Sequence, residues 1–279
     1  MDRSKAMVIA GAMWAASIGW QGARADEVMN WNALASSALS DAAPAAALRV
    51  MATMHVAMHD AINSIEPRYR PYGFSIPVDM RASKEAAAAS AAHDVLAATM
   101  PERATAFDAA LGLSLARIAG GKSKRDGVGA GKAVAEAVVA WRRKDGFEQL
   151  EEQAVTPFVM KSAAQFSPAG CPALDGEREI PAWNAAARAA SIARSLALHD
   201  NARLFALMYM AAADASLAGP SQRCVVSGAA EKVLRLFFGS DSFKLGYVRT
   251  AMARSADEPS IMLGRKIGAY AVANYLEPR

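Results

Sequence analysis

Apolar residues recur at helical spacing along most of the chain. Between 45 and 65, Met51, Met54, Met58, Ala61, Ile62 and Ile65 fall on one face, the repeat of a helix with one buried side. Glu66-Pro67 ends that segment, because a residue before proline avoids the α region. A shorter helix is predicted over 27–39, with Trp31 on its apolar side. Pro71, Gly73 and Pro77 punctuate a loop over 68–81. Ser83 is a plausible N-cap for a helix through Thr99. Pro101 suits the first turn of the next helix, which runs to about Arg117 before Gly120-Gly121. Further helices are predicted over 126–143, 181–196, 200–216, 222–238 and 259–276. Segment 200–216 is apolar nearly all round and belongs at the centre of a bundle, with Asp200 its expected N-cap. Residues 146–180 lack periodicity and carry Pro157, Pro168 and Pro172, so they read as one long irregular connection.

Composition sharpens this to an all-α fold. Alanine is abundant, Met numbers 14, and aromatics are only 7% of the 279 residues. Alanine and long unbranched side chains favour helices, whereas a sandwich or barrel wants β-branched and aromatic residues. The first 25 residues read as a secretory signal. Arg3 and Lys5 precede an uncharged stretch over 6–20, and Ala23-Arg24-Ala25 places small residues where signal peptidase reads. The stretch is shorter than the roughly 20 residues that span a bilayer. Its removal takes Arg3, Lys5 and Arg24 against Asp2, which lowers the net charge of +4 by two. So small a surplus gives no reason to expect nucleic acid as a partner. The expected mature protein is one helical domain over 26–279, exported and most simply periplasmic, with no further segment able to span a membrane.

Export makes Cys171 and Cys224 candidates for a disulfide, although two buried thiols fit the sequence as well. Gly127-Val128-Gly129-Ala130-Gly131-Lys132 invites a phosphate-loop reading but has neither the glycine spacing nor the Ser/Thr after the lysine. Small residues that let helices approach closely explain it better. His55 and His59 lie four apart on one helix face, a spacing that suits a metal. His55 also borders the methionine face, where a hydrogen-bonded structural histidine is the commoner role. His199-Asp200 resembles a fragment of an acid–base dyad.

A set of strings taken in order carries a resemblance. They are Trp31-Asn32, Arg49, Met54 to Glu66, the alanine-rich 86–92 with His93-Asp94, Trp141-Arg142, Asp145-Gly146 and Thr156-Pro157-Phe158. Trp183-Asn184, Asn201 to Leu207, Ala213-Asp214-Ala215, Ser227 to Ala230, Phe237-Phe238-Gly239 and Leu263 to Tyr270 follow. Together they resemble the bacterial branch of the vanadium-dependent haloperoxidases, within the type 2 phosphatidic acid phosphatase superfamily. The resemblance implies a helical bundle and a site for vanadate or phosphate. Such a site has cationic side chains around the oxyanion, one histidine that binds vanadium or attacks phosphorus, and a second for acid–base work.

The chain departs from the family at each of the motifs that supply these groups. Only Ser216, Leu217 and Ala218 stand between Ala215 and Gly219-Pro220, where the family carries a lysine and then Arg-Pro. Pro220-Ser221-Gln222-Arg223 stands where the family has Pro-Ser-Gly-His, and no histidine follows His199. An arginine stays protonated and cannot replace histidine as nucleophile or ligand. The resemblance with these departures implies a non-catalytic binding or structural protein without a cofactor. Ser221 and Arg223 are its candidates for residual anion binding. The alternative is an active phosphatase or haloperoxidase with a rearranged site around His199, His55 and Arg223, or one shared with a partner subunit. The family usually runs longer than this chain. A homo-oligomer or a protein partner is therefore expected over a face uncovered near residues 204–218.

Overall fold

The computed structural model describes residues 25–145, 155–162, 165, 179–218, 222–239 and 258–279. The described elements are α1 (Glu27–Ala38), α2 (Pro44–Ile65), α3 (Lys84–Thr99), a 3-10 turn (Pro101–Arg103), α4 (Ala104–Ala116) and α5 (Lys122–Arg142). They continue with α6 (Glu179–Ala193), α7 (Leu198–Ala215), α8 (Gln222–Phe238) and α9 (Glu258–Asn274). No strand occurs among the described residues, only an antiparallel bridge between Tyr69 and Pro278. That bridge zips the C-terminal tail onto the loop after α2, with Arg70 N–H donating to Glu277 O at 2.7 Å and Arg279 N–H to Arg68 O at 3.1 Å.

Two long helices form the spine. The α2 helix packs on α7, and each carries a pair outward: α3 and α5 lie against α2, while α8 and α9 lie against α7. Both spine helices are buried nearly all round, as the apolar pattern of 200–216 requires. Residues 204–218 are covered by the chain itself, with only Leu217 partly reached by solvent. The expected uncovered face is therefore not exposed there, because α2, α8 and α9 enclose α7.

Ser83 caps α3 as expected, accepting from Ala86 N–H at 3.1 Å. Asp26 does the same for α1 and also accepts from Asn201 Nδ2 at 2.8 Å, which ties the start of α1 to α7. Three boundaries differ from the sequence reading. Pro101 opens the 3-10 turn rather than α4. The α5 helix begins at Lys122, where Gly121 takes a positive φ of 125° and Lys122 pairs with Asp126 one turn on. Asp200 is not an N-cap: α7 starts at Leu198, and Asp200 lies in its first turn, accepting from the Tyr69 hydroxyl.

The early start of α5 puts Gly127 and Gly131 inside the helix, against α3. A Cβ on either would stand 2.3 Å from a backbone oxygen, of Ser83 and of Ala87 respectively. Close helix approach therefore accounts for these two glycines. The same device joins α8 to α9, where a Cβ on Gly264 would lie 1.9 Å from Val225 O.

Candidate functional site

All four histidines of the chain are described, and each is built into the scaffold. His55 lies between Phe205 and Tyr209, stacked at 5.2 Å from both rings, with Asn32 Nδ2 at 3.0 Å from its Nε2. Complete burial lowers its pKa to about 3, so the ring is neutral. His59 Nδ1 meets Asp60 Oδ1 at 2.9 Å. Asp60 in turn accepts from the backbone N–H groups of Tyr72, Gly73 and Phe74 at 2.7–3.0 Å, which pins the 68–81 loop to α2. His93 stands between Asp94 and Asp108, whose hydrogen bonds raise its pKa. His199 is buried, with Nε2 at 3.2 Å from Glu66 O, and desolvation lowers its pKa.

The expected site residues are thus not brought together. His55 and His59 share α2 but face different partners, the Phe205–Tyr209 pair and the Asp60–Tyr69 side. Among the described residues, no group of three or more His, Cys, Asp or Glu is arranged to hold a metal ion. Arg223 falls in the first turn of α8, but its side chain, like all of Ser221, lies outside the described residues. Cys224 is buried and disulfide-bonded; Cys171 lies outside the described residues, as do residues 1–24 of the expected signal.

A buried charged cluster lies elsewhere among the described residues. Arg49 of α2 and Arg142 of α5 both bond Asp145 Oδ2, the latter at 2.7 Å. Arg142 also donates to Thr156 O at 3.2 Å and lies over the Phe158 ring at 3.7 Å. Desolvation, with Arg49 adding to it, lowers the Arg142 pKa to about 10. Asp214 of α7 binds the neighbouring strip, accepting from Phe158, Val159 and Met160 N–H at 2.6–2.7 Å. Burial raises the Asp214 pKa to about 6 against those donors. Arg49, Arg142 and Asp145 line a cleft of about 540 Å³ between the ends of α1, α2, α3 and α5. Asp41, Glu102, Arg103 and Arg143 stand at its exposed rim.

Arg49, Arg142, Asp145 and Asp214 lie within the strings that carry the resemblance, but the sequence alone gives them no role. The available signal was a charge inside an apolar run: Arg49 between Leu48 and Val50, and Asp214 within the alanines that end α7.

No protein-family model matches the chain, and no curated protein matches its sequence. A solved structure does. It is described as the first bacterial vanadium-dependent iodoperoxidase, and it superposes with a TM-score of 0.68 at 17% identity, over 90% of this chain and 95% of that one. The fold is that of the vanadium haloperoxidases. The helical order of the described residues, with α2 and α7 as the spine, is therefore a haloperoxidase scaffold. No described helix is long and apolar enough to cross a membrane.

Proposed function

We propose that this is an exported protein on a haloperoxidase scaffold that has lost the vanadate or phosphate site and acts by binding rather than catalysis. The supporting observation is the fate of its four histidines. Vanadium ligation, or attack on phosphorus, needs an accessible imidazole. Here His55 is sealed between two aromatic rings, His59 and His93 are held by carboxylates, and His199 is buried against Glu66 O. The donor set among the described residues therefore does not fit vanadate, and no catalytic step is assigned through it. Arg223, which occupies the family's histidine position in sequence, points the same way, since a guanidinium stays protonated.

The test is turnover by the purified protein, with p-nitrophenyl phosphate and separately with bromide, peroxide and vanadate. We expect rates equal to those without protein. Turnover that disappears in Arg223→Gln or His199→Ala would overturn the proposal and restore a working phosphatase or haloperoxidase.

A further inference from the structure

Helix α4 is anchored on one side and bare on the other. Phe107 and Ser114 are its buried residues. Ser114 Oγ donates to Glu27 of α1 at 2.7 Å, and Asp108 meets His93 Nε2 of α3 at 2.8 Å. The opposite face carries Thr105, Ala106, Ala109, Gly112, Leu113 and Ala116, all exposed. Leu113 is 68% exposed. A helix face that meets only water ordinarily carries charged side chains, and this one has none between its two ends.

The spacing is that of a helix pair. Thr105, Ala109, Gly112 and Ala116 follow one another at the alternating steps of four and three that line a two-helix seam. Side chains this small let two helix axes come within about 8 Å. Gly112 fits the same reading. A Cβ there would meet nothing within 4 Å in this chain, so its own packing does not call for glycine, which costs about 1 kcal/mol inside a helix.

The ends of the face carry opposite charges. Glu102 stands exposed in the turn before α4, and Arg117 is the residue after its last turn. Glu27 holds Arg117 Nη2 at 2.6 Å, yet the Arg117 side chain is 56% exposed. It is thus positioned and still open to a second carboxylate. Arg103 instead lines the mouth of the neighbouring cleft.

We propose that this face of α4 is a self-association surface, on which two copies of the chain pack α4 against α4, antiparallel about a two-fold axis beside Ala109. That register sets Glu102 opposite Arg117 of the second copy and Leu113 opposite its Ala106. The symmetry repeats both contacts. A parallel pair would set like charges side by side. A membrane surface is the poorer occupant, because it calls for several large apolar residues with basic flanks, whereas this face has one leucine and an acidic end. One helix pair buries less than a standard interface of about 1,600 Å², so the dimer is weak and reversible.

The experiment is sedimentation equilibrium of the purified protein from about 1 to about 200 μM, which spans weak association. A reversible monomer–dimer equilibrium is expected. Leu113→Glu and Gly112→Trp should each weaken it by at least about tenfold. Both positions face open space in the single chain, so both variants should keep the thermal melt of the monomer. Glu102→Lys should weaken it by about tenfold, as two ion pairs become two repulsions. Ala109→Cys should give a covalent dimer with a short bis-maleimide, whereas Ala273→Cys, exposed on α9, should not. The proposal is overturned by a monomer at every concentration, or by a dimer that Leu113→Glu and Gly112→Trp leave intact. It is equally overturned by a dimer that Glu102→Lys does not weaken, or by monomer binding to phosphatidylglycerol vesicles that Leu113→Glu abolishes.

Discussion

Asp145 holds two arginines on one carboxylate oxygen, and both arginines are buried. Two like charges so placed repel, and the shared anion, with Asp214 nearby, makes the arrangement tolerable. The three residues therefore contribute unequally. Removing either arginine leaves a paired ion, whereas removing the carboxylate leaves two guanidiniums facing each other out of water. Asp145→Asn should lower stability by about 3–5 kcal/mol, the range for breaking a buried ion pair. Urea denaturation measures this, and Arg142→Gln should cost clearly less. A loss below about 1 kcal/mol for Asp145→Asn would show that water reaches the pair.

At the scale of helices, glycine position decides how closely two elements approach. Gly131 of α5 faces α3, and an added Cβ would stand 2.3 Å from Ala87 O and 2.8 Å from Ala91 N, both backbone atoms that cannot swing away. Gly129, on the same helix, has nothing within 4 Å. Gly131→Ala should therefore destabilise by about 1–3 kcal/mol as the helices are forced apart. Gly129→Ala should be neutral or stabilise by up to about 1 kcal/mol through helix propensity. Thermal melting of the two variants separates these outcomes. Such elements are legible in the sequence because periodicity and punctuation are local: the 45–65 helix, the Ser83 cap and close packing at Gly127 and Gly131 emerge as read, whereas α2 is buried nearly all round rather than on one face and Gly129 packs against nothing. What was not legible depends on partners distant in the chain. Asp200 looks like a cap until Tyr69 arrives from another loop, and Arg49 looks unremarkable until Asp145, 96 residues later, meets it. The expected anion-site residues Ser221 and Arg223 were read from a resemblance, whereas the Arg49–Arg142 cleft arises from tertiary pairing that no spacing announces.

At the scale of the whole molecule, two buried groups pull the response to acid in opposite directions. His55 is neutral in the fold and ordinarily titrates near 6.5. The stability it supplies is complete above that pH and is lost as pH falls toward about 3, a total of about 5 kcal/mol. Asp214 has a raised pKa. Its contribution is complete below the ordinary 3.8 and is lost as pH rises through about 6, about 3 kcal/mol in all. Between pH 6 and 4 the two nearly cancel, so their joint contribution should stay level and then fall by about 1 kcal/mol between pH 4 and 3. Replacing Asp214 by Asn removes the compensation and should start the decline near pH 6. Urea midpoints across this range test it; a parallel pair of curves would show that Asp214 does not titrate there.

The seam between α2 and α7 also orders events in time. Helices α1 to α5 contact one another mostly over short sequence distances, but α2 finds α7 only across more than a hundred residues. Local contacts form quickly and distant ones late, because closing a long loop must precede any gain from the contact. The stacking of His55 on Phe205 and Tyr209, and the grip of Asp214 on Phe158 to Met160, therefore belong to the last stage of assembly. A chain emerging N-terminus first from the ribosome holds the apolar side of α2 open until residue 215 has followed it.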